Sequence, residues 1–467
     1  MRPSLFLVIG LLFLKASAYA QWDSIKNLFF SPPYFDKVMK LDLPLFDLPY
    51  QIDAMNTVGY GFFSGYANPS MSQSISITTN MFSAFHYGMK VFYDTVTWNK
   101  RLKEIVYVTG IGLGDFILFY LPGGNGWLHE EHHRAVMTRF GVNSFNDMNT
   151  FPIFAEMVSV NSIADEDLER FKAESPADFV RMHAAGIEGE YLLIDRLQRN
   201  NFFYDQNHNN LYTYIFITLN SHVYVAASSN PFQVNSVTDN MNKQEKTILS
   251  RDFTGFDMIG WVYDLFRPDE PYRDRGVHPS GIGINRYRKT TDLTDQEFDY
   301  LRQQVYWHIF NYLSPMLLGI NKIPLGSEGL YGNIAFRHIL TSFGSDISLN
   351  LFFKKSVFNL VCIYHSYLNY EHYFPALEAE LIDFPIHFGS FTLYLSPRLL
   401  IGMQPGDQKF KTGEPEFLGL AGCRLDFGIT KHILPYIEVA AKTKGWVGGN
   451  EFLNANVSVK IGVSARF

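Results

Sequence analysis

The last eleven residues, Val457-Ser458-Val459-Lys460-Ile461-Gly462-Val463-Ser464-Ala465-Arg466-Phe467, alternate without an error: every odd position is apolar and every even one is polar or glycine. Side chains of a strand point to its two faces in turn, so this period of two makes a strand with one oily and one wet face. Upstream, Phe391, Leu393, Leu395, Pro397, Leu399, Ile401 and Met403 alternate against Thr392, Tyr394, Ser396, Arg398 and Gly402, with Leu400 the exception. Shorter patterns occupy 347–353, 377–384, 425–429 and 437–443, and turn clusters such as Gln404-Pro405-Gly406-Asp407 and Gly448-Gly449-Asn450 lie between them. About seven or eight strands fill the stretch from 328 to 467, the longer ones sufficient to cross a thin bilayer at a tilt.

A terminal aromatic on an alternating last strand resembles the insertion signal of bacterial outer-membrane β-barrels, a resemblance confined to the final third of the chain. It implies an antiparallel, barrel-like domain of about eight strands with membrane lipid as a partner. The competing reading is a soluble sheet packed on the rest of the protein, since a half-exposed soluble sheet alternates as well. Residues 1–20 read as a signal peptide: Arg2 gives a positive start, 5–14 is an apolar run, and Ala18-Tyr19-Ala20 offers small residues for cleavage before Gln21. The expected location is outside the cytoplasm, in the outer membrane or on the periplasmic face of the bacterial envelope.

The region 21–100 reads as loops and strands, and 101–327 as helical, which makes the fold class α+β: a helical domain followed by the β domain at 328–467. Three apolar stretches, 105–121, 211–227 and 305–320, are interrupted by Asp115, by Asn220 and His222, and by His308 and Asn311. Such segments lie at the lower length limit for a membrane span, about 17 residues, and are expected inside a globular domain or against the barrel. The charge-dense stretch 165–172 is expected to be an exposed amphipathic helix.

Within the helical region, His129-Glu130-Glu131-His132-His133 follows the turn Pro122-Gly123-Gly124-Asn125-Gly126. On a helix, His129 and His133 stack on one face, where two imidazoles can take adjacent corners of a metal site. The spelling H-E-x-x-H resembles the zincin metallopeptidases. That resemblance implies Zn²⁺ on His129 and His133, with Glu130 as the general base toward a water activated by the metal. A third ligand is then required. The best region is His183-Ala184-Ala185-Gly186-Ile187-Glu188-Gly189-Glu190, where His183, Gly186 and Glu190 share a helical face and the glycines permit close helix approach. In the gluzincins, which this arrangement resembles, a downstream helix supplies a glutamate ligand. Their Glu-x-x-x-Asp spacing is missing here, so the choice stays open among Glu190, His183 and Glu188, in that order.

The same residues fit the H-x-x-H-H box of di-iron membrane desaturases and hydroxylases through His129, His132 and His133. That family needs several boxes, and this chain has one beside the isolated His183, His208, His222 and His278. The loop at 275–286 carries His278, Asn285 and Arg286, polar groups able to meet a substrate oxyanion, although a structural turn is the simpler account. A formal net charge of -7 excludes nucleic acid as a partner. Aromatic residues make up 16 % of the chain, which suits either a membrane-interface belt or a large core. Cys362 and Cys423 are the two cysteines; they can pair but make no disulfide scaffold. The expected function is a membrane-associated, zinc-dependent, metallopeptidase-like hydrolase acting on a peptide or lipid. The alternatives are a non-catalytic outer-membrane protein with a helical plug or assembly platform and, as a minor reading, a di-iron oxygenase.

Overall fold

The computed structural model describes residues 39–59, 61, 64–150, 158–204, 210–326, 329–389, 391–430 and 432–467. The signal-peptide stretch 1–20 and His208 lie outside the described residues. The chain enters with strand β1 (Lys40–Leu48), then helices α1 (Tyr50–Val58), α2 (Met71–Thr95), α3 (Lys100–Phe119) and α4 (Asn125–Thr138). A two-residue ladder follows, β2 (Phe145–Asn146) with β3 (Val160–Asn161), and then α5 (Asp165–Glu174), α6 (Pro176–Tyr204), α7 (Leu211–Ser228), α8 (Pro231–Gln244), α9 (Asp257–Phe266) and α10 (Asp295–Trp307). The remaining strands are β4 (Ile323–Pro324), β5 (Leu330–Thr341), β6 (Gly344–Lys355), β7 (Phe358–Asn369), β8 (His372–Leu381), β9 (Phe384–Phe388), β10 (Phe391–Pro405), β11 (Pro415–Gly428), β12 (Ile433–Lys442) and β13 (Asn456–Arg466).

The α+β class holds. The sheet corrects two expectations: it has eleven strands rather than about eight, and it is not a closed barrel. Its order is β1-β13-β12-β11-β10-β8-β7-β6-β5-β4, with β9 beside β10, so among the described residues β1 and β4 are edges that do not pair. Helices take the place of the missing closure: α2 packs on β1, and α6 packs on β5. The region 21–100 contributes β1 and the helices α1 and α2 rather than loops, and β1 joins the last strand in antiparallel register, Lys40 opposite Arg466.

The alternation seen in the sequence is oriented with its oily face outward. On β13, Val457 and Ile461 are exposed while Ser458 and Ser464 are buried; on β10, Leu399 and Ile401 are each 50 % exposed while Ser396 and Leu400 are buried. Leu377, Phe417, Ile433 and Val439 extend the exposed apolar face across β8, β11 and β12. The inner face is charged and internally paired. Arg424 bridges Asp42 at 3.0 Å and Asp426 at 2.8 Å, Arg398 holds Glu378 at 2.9 Å, and the second half of α6 joins in through Arg196–Asp42 at 3.2 Å and Asp195–Arg337 at 2.9 Å. A cavity of about 270 Å³ lies among these groups. A sheet burying its apolar face in a soluble core would have the opposite sense.

Cys362 on β7 and Cys423 on β11 are free thiols, separated by β8 and β10. Among the described residues no helix is long and apolar enough to cross a membrane. The stretch 105–121 lies mainly in α3 and 211–227 in α7, and both helices expose apolar side chains, Ile105 and Phe116 on α3, Leu219 and Val223 on α7. The stretch 305–320 is not one helix: α10 stops at Trp307 and two 3₁₀ turns, His308–Tyr312 and Pro315–Leu318, follow. Helix α5 buries Asp165 against Arg286 at 2.8 Å and Lys172 against Asp264 at 2.9 Å, so its charged stretch is half interior rather than exposed.

Candidate metal centre

The glycine turn before the H-E-x-x-H stretch sets the start of α4. Gly123 has φ +85°, a left-handed conformation that suits glycine, and a Cβ on Gly124 would collide with the Leu118 carbonyl. All of α4 is buried, so its histidines and glutamates do not form a solvated face. It packs lengthwise on α6. The contact is close because α6 presents glycines: a Cβ on Gly186 would collide with Nε2 of both His129 and His133, and one on Gly189 would press on the His132 ring.

His129 and His133 do face one another, with ring centroids 4.9 Å apart. The third group at the site is one the sequence reading missed, Asp257, the first residue of α9. Its Oδ2 lies 3.1 Å from Nε2 of His129 and 3.3 Å from Nε2 of His133. One ligand atom from each of His129, His133 and Asp257 falls within 4.8 Å of the others, and all three residues are buried. Donors of this kind, two imidazole nitrogens and a carboxylate oxygen, match a divalent transition metal.

The tautomers of both histidines are held from behind. His133 Nδ1 donates to the Met182 carbonyl at 2.5 Å, which leaves Nε2 turned to the centre, 3.3 Å from Asp257 Oδ2. His129 Nδ1 donates to Glu190 Oε1 at 3.1 Å. Glu190 is in turn fixed by Asn125 Nδ2 at 3.0 Å, by Asn220 Nδ2 at 3.3 Å and by the Ser221 hydroxyl. Glu190 thus stands behind His129 and outside the converging group; as a buried carboxylate on an imidazole N–H it fixes the ring's orientation, an arrangement also found behind metal-binding histidines. The Tyr224 hydroxyl donates to Asp257 Oδ2 at 2.9 Å and fixes the carboxylate on the remaining side.

Electrostatics follow from burial and crowding. Burial opposes charge on His129, yet its hydrogen bonds to Asp257 and Glu190 hold its pKa well above the usual histidine range. Burial likewise opposes charge on Asp257, and the adjacent His133 and His129 pull its carboxyl well below the usual range. Glu130 lies beside the centre; burial, reinforced by Asp257, Glu131 and Asp147 and opposed by His129, pushes it up to about 8. Asp252, also absent from the sequence reading, is pushed up to about 8 by burial together with Asp257 and Glu130, and accepts the Gly255 N–H at 2.7 Å.

The other candidates are tied up elsewhere. His183 Nε2 meets Asp264 Oδ2 at 2.8 Å in a buried cluster with Lys172 and Arg275. Glu188 pairs with Arg181 at 2.8 Å and accepts from Trp446 Nε1 and Gly449 N–H, pinning α6 to the loop before β13. His132 faces Gly189, with its pKa pushed down to about 3 by burial. His278 Nδ1 closes a local turn by accepting the Ser280 N–H at 3.1 Å, and Arg286 straps 163, 251 and 252 through their carbonyls. No protein-family model matches the chain, and neither a curated protein nor a solved structure matches it.

Proposed function

We propose that this chain is a zinc-dependent hydrolase of the bacterial envelope, peptidase-like in its chemistry, with a peptide or lipid substrate. The observation that carries the reading is the convergence of His129 Nε2, His133 Nε2 and Asp257 Oδ2 against the bare Gly186 face of α6, with Glu130 one step round the same helix. These residues fit a zinc ion once His129 gives up its Nε2 proton: two neutral nitrogens and one anionic oxygen then leave a further position open, as catalytic zinc sites do. Zinc, when bound, supplies a Lewis acid that makes water nucleophilic near neutral pH. His129, His133 and Asp257 would hold it, replacing the Glu190 ligand that the gluzincin resemblance implies. Glu190 and the Met182 carbonyl would keep the two imidazoles oriented toward the ion, Tyr224 would hold Asp257, and Glu130, in its ionised form, would accept a proton from water on its carboxylate.

The membrane side of the proposal is supported by the inverted polarity of the sheet. An apolar outer face running across β8, β10, β11, β12 and β13, over a charged interior, is the pattern of a wall that meets hydrocarbon outside and water inside. That same observation favours the second reading, a non-catalytic envelope protein in which the charged half of α6 plugs the sheet. Metal content separates the two. The wild-type protein is expected to carry roughly one zinc per chain, lost in His133→Ala; metal in neither, after loading with zinc, would leave the plug reading standing. Glu130→Gln is expected to keep the zinc and lose about 10²- to 10⁴-fold in hydrolysis, the range of general-base catalysis. Recovery in outer-membrane fractions with heat-modifiable gel mobility is the expected behaviour of the sheet; a freely soluble periplasmic protein would remove the membrane half of the proposal.

A further inference from the structure

Three histidines that the metal centre does not use converge where α7, the 308–312 turn and β5 meet: His222, His308 and His338. The rings of His308 and His338 have centroids 4.7 Å apart, and those of His222 and His308 lie 6.3 Å apart. His308 and His338 are fully buried, and His222 is half-buried.

The hydrogen bonds decide which ring nitrogens carry protons. Gln304 Nε2 donates to the Tyr300 carbonyl at 3.3 Å, so its Oε1 is the atom 3.2 Å from His338 Nε2. An amide oxygen only accepts, and His338 Nε2 therefore carries a hydrogen. A neutral ring with its hydrogen on Nε2 carries a lone pair on Nδ1. That lone pair accepts from His308 Nδ1 at 2.6 Å. With its one hydrogen on Nδ1, a neutral His308 presents Nε2 as a bare lone pair. This Nε2 is buried with no hydrogen-bond partner, and so is Nδ1 of His222. The Asn311 side chain braces the arrangement, accepting from His338 N–H at 2.8 Å and donating to the His338 carbonyl at 3.1 Å. A buried acceptor without a donor calls for an occupant, water or ion.

We propose that His222 Nδ1 and His308 Nε2 bind a monovalent copper ion, Cu⁺, at a second metal site separate from the centre on α4. Imidazole nitrogen suits copper and zinc. The choice between them follows from charge: among the described residues the recorded contacts of the three rings are to Tyr191, Tyr312, Gln304 and one another, all neutral. A divalent ion buried there has no counter-charge, and the cost of burying an uncompensated ion grows with its charge. The centroids of His222 and His308 stand 6.3 Å apart, with one partnerless buried nitrogen on each ring.

The test loads the full chain with Cu⁺ or with Zn²⁺ under anaerobic, reducing conditions in the His133→Ala background, which disables the α4 centre, and reads affinity by competition with a chromogenic chelator. One equivalent of Cu⁺ is expected, weakened roughly tenfold or more by adding His222→Gln. That substitution sits at a half-buried position and leaves the His308–His338 pair in place; its melting temperature reports whether the fold survives. Copper bound equally well with and without His222→Gln, or no copper bound at all, overturns the site, and Zn²⁺ bound as tightly as Cu⁺ overturns the charge argument. X-ray absorption on the copper-loaded His133→Ala chain gives a second answer: a two-nitrogen shell is expected for the copper at this site, and its absence overturns the proposal.

Discussion

His129 in the helical half and His365 in the sheet are both buried between two carboxylates. His129 reaches Glu190 and Asp257, each at 3.1 Å; His365 reaches Asp346 at 2.8 Å and Glu378 at 3.7 Å. In each case burial opposes the charged ring and the carboxylates overcome it, raising His365 to about 9 and His129 well above its ordinary range. The two sites differ in what else is present. Arg398 sits on Glu378 with hydrogen bonds of 2.9 and 3.0 Å, so the sheet cluster already holds two cations for two anions. Among the described residues, no lysine or arginine contact is recorded for His129, His133, Asp257 or Glu190, and the wall opposite is a glycine. A histidine–carboxylate cluster with its own arginine is electrically complete; one without it, backed by an empty side-chain position, keeps charge and room for a metal.

The difference can be attacked from both sides. The largest effect is expected from Gly186→Ala, whose new methyl group enters the space in front of both Nε2 atoms: zinc binding should be abolished, and overpacking should cost a further 1–3 kcal/mol or so of stability in denaturant titration. Zinc bound normally by Gly186→Ala would mean that the glycine does not shape the site. Next is the pH response of the sheet cluster. Because His365 is raised from 6.5 to about 9, its contribution is fully present below about pH 6.5 and is lost as pH rises through about 9, a span worth about 3 kcal/mol at most. The stability difference between wild type and His365→Gln should therefore shrink across that window, and a constant difference would show that the ring is not held charged. The smallest effect belongs to Glu190→Gln, which keeps an acceptor on His129 but removes the charge. Zinc affinity should fall about 10- to 100-fold, as for other carboxylates behind metal-binding histidines, whereas Glu378→Gln should leave it unchanged.

Much of this was legible in the chain and some was not, for physical reasons. His129 and His133 are four residues apart, and helical periodicity alone brings them together. The glycines at 186 and 189 advertised a close helix contact, and the contact is there. Glu190 was legible as a residue on the correct face, but the distance between α6 and α4 decides whether such a carboxylate reaches a metal or stops at the imidazole, and no spacing rule encodes that distance. Asp257 carried no signal, because it reaches the site only through the placement of α9; its one local hint is the left-handed Gly255 two residues before it, φ +85°, marking a turn into a helix. The period of two fixed which residues share a face of each strand but not which face looks inward, since Leu399 and Arg398 alternate identically in either orientation. Closure was equally invisible. It depends on whether the two edge strands meet, and here α2 lies against the β1 edge while α6 lies on β5, beside the other.

One pairing has a consequence in time rather than in space. Lys40 lies opposite Arg466 and Leu48 opposite Val459, so β1 leaves the ribosome first among the described strands and finds its partner in the last one made. Until then its backbone N–H and C=O groups have no strand beside them, and the chain between must already be ordered or be closed as one very long loop. Pairs so remote in sequence form late and slowly, because loop entropy has to be overcome before any contact repays it. The joining of β1 to β13 is therefore the natural final step of assembly. A chain truncated within β13 would be left with an unpaired first strand, the kind of exposed edge that recruits other molecules.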